Sequence, residues 1–159
     1  MNALELLKKD HKEVKKLLEE LEGEDAGREQ RNIFNEIDQK LRLHEHLEET
    51  LLYPELKKHE ESKEEAIEGF VEHHTANAVL LDLAKQKAGS PEFSARAKVL
   101  KELIEHHIEE EEGELFDKAE EVLGEERLEQ IGDKMQELID NPPANLPEPK
   151  LLGGTRKAA

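Results

Sequence analysis

Two His-x-x-x-Glu pairs, His44 with Glu48 and His107 with Glu111, occupy positions where the sequence otherwise repeats apolar residues at helical spacing. His44 and Glu48 continue the stripe Ile33, Ile37, Leu41, and His107 and Glu111 continue Leu100 and Ile104. His11 stands in a third stripe, between Leu7 and Val14. Residues four apart share one face of a helix, so each pair aims an imidazole and a carboxylate toward the core side of its helix. A buried carboxylate is costly unless it is paired or bound to a metal. Imidazole and carboxylate donors without thiolate suit iron, manganese or zinc. The chain has no cysteine, which removes thiolate sites, disulfides and a cysteine nucleophile.

Each observation has a plainer reading. A single histidine in an apolar stripe is usually a satisfied core residue, and 40 acidic residues place some Glu four after a His by chance. Two such pairs in apolar stripes and at repeat-related positions are much harder to obtain by accident. The repeat relates DHKEVKKLLEEL at 10–21 to EHHTANAVLLDL at 72–83, and LRLHEHLEETLLYP at 41–54 to LIEHHIEEEEGELF at 103–116. Each half is a helix with one key histidine followed by a helix with a His-x-x-x-Glu pair. The duplication predicts a pseudo-twofold arrangement about a central site.

Periodicity places the elements that must hold these residues. Leu4, Leu7, His11, Val14, Leu18 and Leu21 predict a helix over 3–22, ended by the glycines of GEDAG. A second helix spans 28–59, with a kink expected at Pro54. Ser62, with Glu65 three residues on, reads as the capping box of a third helix running to about Lys87. Gly89-Ser90-Pro91 stops it, and a fourth helix covers roughly 91–121. Gly124 separates a short fifth helix, 125–140, and the Pro/Gly-rich 141–159 reads as an extended or disordered tail on which Leu151-Leu152 could dock back. The expectation is an all-α fold: an up-down-up-down four-helix bundle over 1–140, a short fifth helix, and the tail as a separate segment.

The remaining composition narrows function. The formal net charge of −17 and the lack of a basic stripe argue against nucleic acid and anionic lipid as partners. The N-terminus carries neither a signal-like apolar run nor a membrane-length one, so a cytoplasmic protein is expected. Tyr53, the single tyrosine, lies just over a turn beyond Glu48 and reads first as a packed aromatic, second as a donor to the site or a radical site. The glutamate runs at 109–112 and 119–121 read mostly as solvated helix face.

Taken in order, DH with Val14 three residues after His11, LRLHEHLEETLLYP, VEHH and HIEEEEGELF resemble the hemerythrin-like proteins, or HHE cation-binding domains, over about residues 1–140. The resemblance implies a four-helix bundle around two non-haem irons with an oxo or hydroxo bridge, manganese or zinc being accepted by the same donors. It places ligands on His11, His44, Glu48, His73, His107 and Glu111, with Glu48 and Glu111 bridging. The oxygen-carrying members have a second histidine four residues after the third-helix one, where this chain has Asn77. Glu45 is then a substitute ligand. His74 competes with His73, because Ile67, Phe70, His74, Ala78 and Leu81 form a stripe of their own; the repeat and the family pattern favour His73. Glu112 would replace Glu111 if its helix were locally distorted. The function implied is binding of O2, NO or peroxide in oxygen handling or in oxidative or nitrosative stress. The alternatives are a catalase-like or peroxidase-like enzyme, an iron or O2 sensor, and a metal-free structural bundle.

Overall fold

The structure, a computed structural model, describes residues 1–146 and, as backbone, Lys150–Leu151 and Gly154–Thr155. Helix α1 covers Ala3–Gly23 and α2 covers Gly27–Leu47. A π-helical turn, π1, follows at Glu48–Leu52, then the short α3 at Tyr53–Leu56. α4 spans Glu60–Ala84 and α5 spans Pro91–Glu110. A second π-helical turn, π2, occupies Glu111–Leu115, and α6 runs over Phe116–Asp140. The strands β1, Lys150–Leu151, and β2, Gly154–Thr155, form a two-residue antiparallel ladder. Part of the expected tail, 147–149, 152–153 and 156–159, lies outside the described residues, as do the side chains of Leu151 and Leu152.

Cross-helix pairs fix the topology. Asp10 and Glu13 of α1 meet His44 and Lys40 of α2, so these helices run antiparallel. Glu72 and Asp82 of α4 meet His107 and Arg96 of α5 in the same sense. His11 reaches Glu112 while Glu22 reaches Lys101, which makes α1 antiparallel to α5. α1, α2, α4 and α5 therefore form an up-down-up-down ring, as expected from the short connections.

The core is split in two. One apolar cluster contains Val14, Leu18, Phe34, Ile37, Leu80, Phe93 and Leu100. The other contains Leu4, Leu7, Leu52, Tyr53, Leu56, Phe116 and, from α6, Leu128, Ile131 and Met135. His11, His44, Glu48, His73, Asn77, His107 and Glu111 are buried as well. They make a polar layer across the middle of the bundle.

Three local expectations change. The distortion after α2 is not owed to Pro54 alone: π1 precedes it, and π2 occurs at the repeat-equivalent position without a proline. In both, the N–H closing the turn, of Tyr53 or Phe116, donates to the carbonyl of the glutamate that opens it, Glu48 or Glu111. Ser62 does not cap α4, which begins at Glu60 after His59; its buried hydroxyl donates to the Leu56 carbonyl at 2.7 Å, satisfying the end of α3. In the stripe through Ile67 and Ala78 these two are exposed while Phe70, His74 and Leu81 are only half-buried, and the buried face of α4 is Ala66, Gly69, His73, Ala76, Leu80 and Leu83. Helical structure continues to Asp140, but Gly124, at φ 74° and ψ 166°, breaks the path inside α6, in a region open essentially to glycine.

The capping box belongs to α1, where Asn2 Oδ1 accepts from the Glu5 N–H and Glu5 Oε2 accepts from the Asn2 N–H, both at 3.0 Å. Asn2→Ala should lower stability by about 1 kcal/mol in urea unfolding, without altering the spectroscopic signature of a loaded metal site.

Candidate metal centre

Four imidazoles and two carboxylates converge in the polar layer. His11 comes from α1, His44 from α2, His73 from α4 and His107 from α5, while Glu48 and Glu111 open the two π turns. Two groups of donor atoms result: His11, His44, Glu48 and Glu111, and Glu48, His73 and His107. Glu48 belongs to both, its Oε1 lying 3.2 Å from His44 Nε2 and 3.1 Å from His73 Nε2. Glu111 spans them with its two oxygens, Oε1 at 3.1 Å from His11 Nε2 and Oε2 at 3.4 Å from His107 Nε2.

Every one of the four histidines has a carboxylate behind it. His11 Nδ1 meets Glu112 at 2.7 Å, His44 Nδ1 meets Asp10 at 3.2 Å, His73 Nδ1 meets Glu49 at 2.8 Å and His107 Nδ1 meets Glu72 at 2.8 Å. The pattern obeys the repeat: Asp10 and Glu72 directly precede His11 and His73, while Glu49 and Glu112 directly follow Glu48 and Glu111. Such partners hold Nδ1 protonated, fix ring orientation and leave Nε2 as a lone-pair donor aimed inward.

Without a cation this arrangement is uncomfortable. His11 Nε2 and His44 Nε2 stand 3.1 Å apart, so two lone pairs face each other unless an extra proton separates them. Glu48 Oε2, His107 Nε2 and Glu111 Oε1 are buried with no hydrogen-bond partner. Orphaned buried donors and acceptors are rare in native interiors. The donor set therefore fits a pair of metal ions, one per group, with the two glutamates reaching both.

The titration pattern follows from this crowding. Burial opposes charge on His44, but Glu48 and Asp10 outweigh it and hold the imidazole well above its ordinary range. Burial likewise opposes charge on His107, and Glu111 and Glu72 outweigh it. His73, despite burial, is raised to about 9 by Glu45, Glu48 and Glu49. Burial works against ionised Glu111, yet the His107 charge and the hydrogen bonds around it keep that carboxyl well below the usual range.

The structure also sorts the competing residues. His73 is buried and inside the site, whereas His74 is half-buried and outside both donor groups. Glu111 keeps its inward position even though its helix is distorted, and Glu112 supports His11 instead. His106 is exposed and His46 half-buried. Glu45 is buried beside the site but in neither donor group; burial lifts its carboxyl to about 7, with His73 and the Asn77 side-chain hydrogen bond pulling the other way. Asn77 therefore serves Glu45 where oxygen carriers are expected to have a histidine.

Tyr53 is more than a packed aromatic. Its hydroxyl donates to Glu111 Oε2 and lies 3.5 Å from His73 Nε2, and its ring stacks on His73. Gly69 admits it: a Cβ there would stand 2.8 Å from the hydroxyl and 2.9 Å from Cζ. At the repeat-equivalent position Phe116 stacks on His11, so the hydroxyl is present on one side of the centre.

Two outcomes follow. Gly69→Ala should force the Tyr53 ring from Glu111 and destabilise the protein by roughly 1–3 kcal/mol, measured by urea unfolding. The second concerns metal-free protein. A folded-state value near 9 for His73, above the ordinary 6.5, gives stability that is present below pH 6.5 and lost as pH rises through 9. Glu45, at about 7 against 4.5, loses its contribution in the same direction between those values. The urea midpoint of chelator-treated protein should fall from pH 6 to 9, and a midpoint that rose would contradict these assignments.

Comparison with known proteins agrees with this geometry. Residues 2–119 match the family model of the hemerythrin HHE cation-binding domain. The crystal structure of an HHE cation-binding-domain-containing protein from Mycobacterium kansasii superposes with a TM-score of 0.79 at 25% identity, over 89% of this chain and 86% of that one. A curated protein of Nostoc sp. (strain PCC 7120), named a DNA nickase, is 26% identical over 130 residues; these make up 82% of this chain but span only 37% of that protein's length. The family model covers most of the chain and falls on all six converging residues: the chain belongs to the hemerythrin HHE cation-binding-domain family.

Proposed function

We propose that the chain is a non-haem di-iron protein that binds O2, NO or peroxide between the two halves of its bundle. The observation that carries this reading is the pair of donor groups joined by Glu48 and Glu111. His11 and His44 would hold one ion, His73 and His107 the other, and the two glutamates would bridge. Imidazole and carboxylate donors accept iron, manganese or zinc, and a reduced iron pair, when bound, would supply the redox chemistry that small oxidants need.

The chain's own residues would do four things. Asp10, Glu49, Glu72 and Glu112 keep each Nδ1 protonated, so that each Nε2 stays a donor. The two apolar clusters keep bulk water away from both sides of the polar layer. The Tyr53 hydroxyl holds a proton against Glu111 Oε2 and is placed to pass it toward a ligand on the His73 side. Glu45, buried beside His73, is placed to act either as an added ligand or as a proton acceptor. With two imidazoles and two shared carboxylates for each ion, both would keep open positions for a small ligand, which favours turnover of peroxide over simple carriage.

The comparison with a protein named a DNA nickase does not direct this reading. A chain of net charge −17 would be repelled by nucleic acid, and the match covers a minor part of that protein. Among the described residues no helix is long and apolar enough to cross a membrane.

Glu48→Ala and Glu111→Ala should each abolish most metal uptake, because each removes a donor from both groups. His46→Ala should leave metal content unchanged. Metal retained in Glu48→Ala but lost in His46→Ala would overturn the ligand assignment. Iron-loaded protein should also consume peroxide catalytically; stoichiometric, reversible O2 binding without peroxide consumption would select carriage instead.

A further inference from the structure

The chain holds one tyrosine, no tryptophan and no cysteine. These are the side chains that give up a single electron most readily, so the phenol of Tyr53 is the natural one-electron donor of this protein. A lone phenol could stand anywhere in the bundle. This one is completely buried and lies against the metal centre.

Two aromatic neighbours touch its ring. His73 stacks on it, with centroids 5.4 Å apart and planes inclined by 24°. Phe70 meets it edge-on at 5.2 Å and is itself half-buried, with the exposed Lys57 5.5 Å from its ring. The phenol therefore links an imidazole of the centre to a residue that reaches the surface. Its hydroxyl donates to Glu111 Oε2. A positive charge left on a buried phenol would be heavily penalised, so an electron leaves only together with the proton. Glu111 Oε2 is in place to take that proton across one hydrogen bond.

The internal repeat separates packing from chemistry. At the equivalent place Phe116 stacks on His11, with centroids 5.9 Å apart and planes inclined by 10°. Packing there is met by a ring without a hydroxyl. The hydroxyl of Tyr53 also needs room of its own: a Cβ on Gly69 would stand 2.8 Å from it, and the residue equivalent to Gly69 in the first half is Leu7.

We propose that Tyr53 is an electron relay that passes electrons one at a time from an organic reductant in solution to peroxide at the centre. The proposal rests on the peroxide-binding, di-iron reading above and names the second substrate class of that site. In each step the phenol O–H bond breaks, the electron goes to peroxide, the proton moves to Glu111 Oε2, and a neutral phenoxyl radical remains. A reductant molecule then gives one electron to the radical, and Glu111 returns the proton. Two such steps, with two protons from solvent, break the O–O bond and turn peroxide into two waters, while two reductant molecules each lose one electron. This is peroxidase chemistry, as distinct from disproportionation, in which a second peroxide is the electron donor.

Iron-loaded protein given peroxide and frozen at timed intervals should show an organic radical by electron paramagnetic resonance, and ascorbate should quench it. Protein made with ring-deuterated tyrosine should show the same radical with its hyperfine splitting collapsed. That comparison needs no substitution, so it decides the matter even if a variant folds poorly. Tyr53→Phe puts in one half the residue type that the other half already carries. It should take up the same iron, show no radical, and lose most of its ascorbate-dependent consumption of peroxide. Absence of a radical from the loaded, unsubstituted protein would overturn the proposal. So would a radical unchanged by deuteration, or equal ascorbate consumption by the variant at equal iron content. Failure of the unsubstituted protein to take up iron would separately refute the metal-centre reading. Metal-free protein, oxidised by flash excitation of a ruthenium complex in solution, then decides the relay. The phenoxyl absorption band should appear in the unsubstituted protein and not in Tyr53→Phe, and its absence from both would overturn the proposal.

Discussion

Glu48 and Glu111 are two carboxylates, essentially without solvent exposure, placed between four imidazoles in the middle of a helical bundle, and the rest of the structure is organised around making that tolerable. Charges in such a place are strongly penalised unless neutralised nearby. The protein meets this in layers. Imidazole Nε2 atoms face the carboxylates, acidic side chains back each imidazole through Nδ1, and the Tyr53 hydroxyl satisfies one oxygen of Glu111. What remains unsatisfied lies at the centre, where a cation would sit. The two apolar clusters are the consequence: hydrophobic residues are displaced to either side of the polar layer, and α6 closes one of them.

The duplication explains how one short chain builds such a site. The carboxylate behind each imidazole comes from the other helix of the contact: α2 and α5 histidines are backed from α1 and α4, and α1 and α4 histidines from the π turns. The two glutamates that open the π turns sit at equivalent places, which couples the local widening of the helix to their inward aim. π turns of this kind are rare and concentrate at functional sites. The halves then differ in ways that matter chemically. Tyr53 corresponds to Phe116 across the pseudo-twofold, buried Glu45 stands where the other half has Ile108, and Glu68, Glu110 and Glu114 stand where the other half has Leu6, Leu47 and Leu51.

Much of this was legible in the residues. The bundle and the inward faces of His11, His44, Glu48, His107 and Glu111 follow from 3.6-residue periodicity interrupted by polar residues, a pattern that packing alone would not retain. For α4, periodicity misled. Ile67, Phe70 and His74 form a stripe as regular as the buried one, and small residues, Ala66, Gly69 and Ala76, make the true core face because Tyr53 and neighbouring helices approach closely there. The π turns left no hydropathy signature, and Pro54 offered a sufficient but incomplete explanation for one of them. Asp10, Glu49 and Glu72 were hidden by composition: in a chain with 40 acidic residues, a glutamate beside a ligand looks like any solvated one. The repeat would have exposed them, since Asp10 matches Glu72 and Glu49 matches Glu112.

The central claim is that Glu48 and Glu111 join two metal ions in one chain. The most direct measurement is iron stoichiometry together with the Mössbauer spectrum of protein loaded with iron-57 and oxidised. The account requires two irons per chain and a diamagnetic ground state, the mark of ferric ions coupled through a shared bridge. One iron per chain, or two ions with isolated paramagnetic signatures, would contradict it.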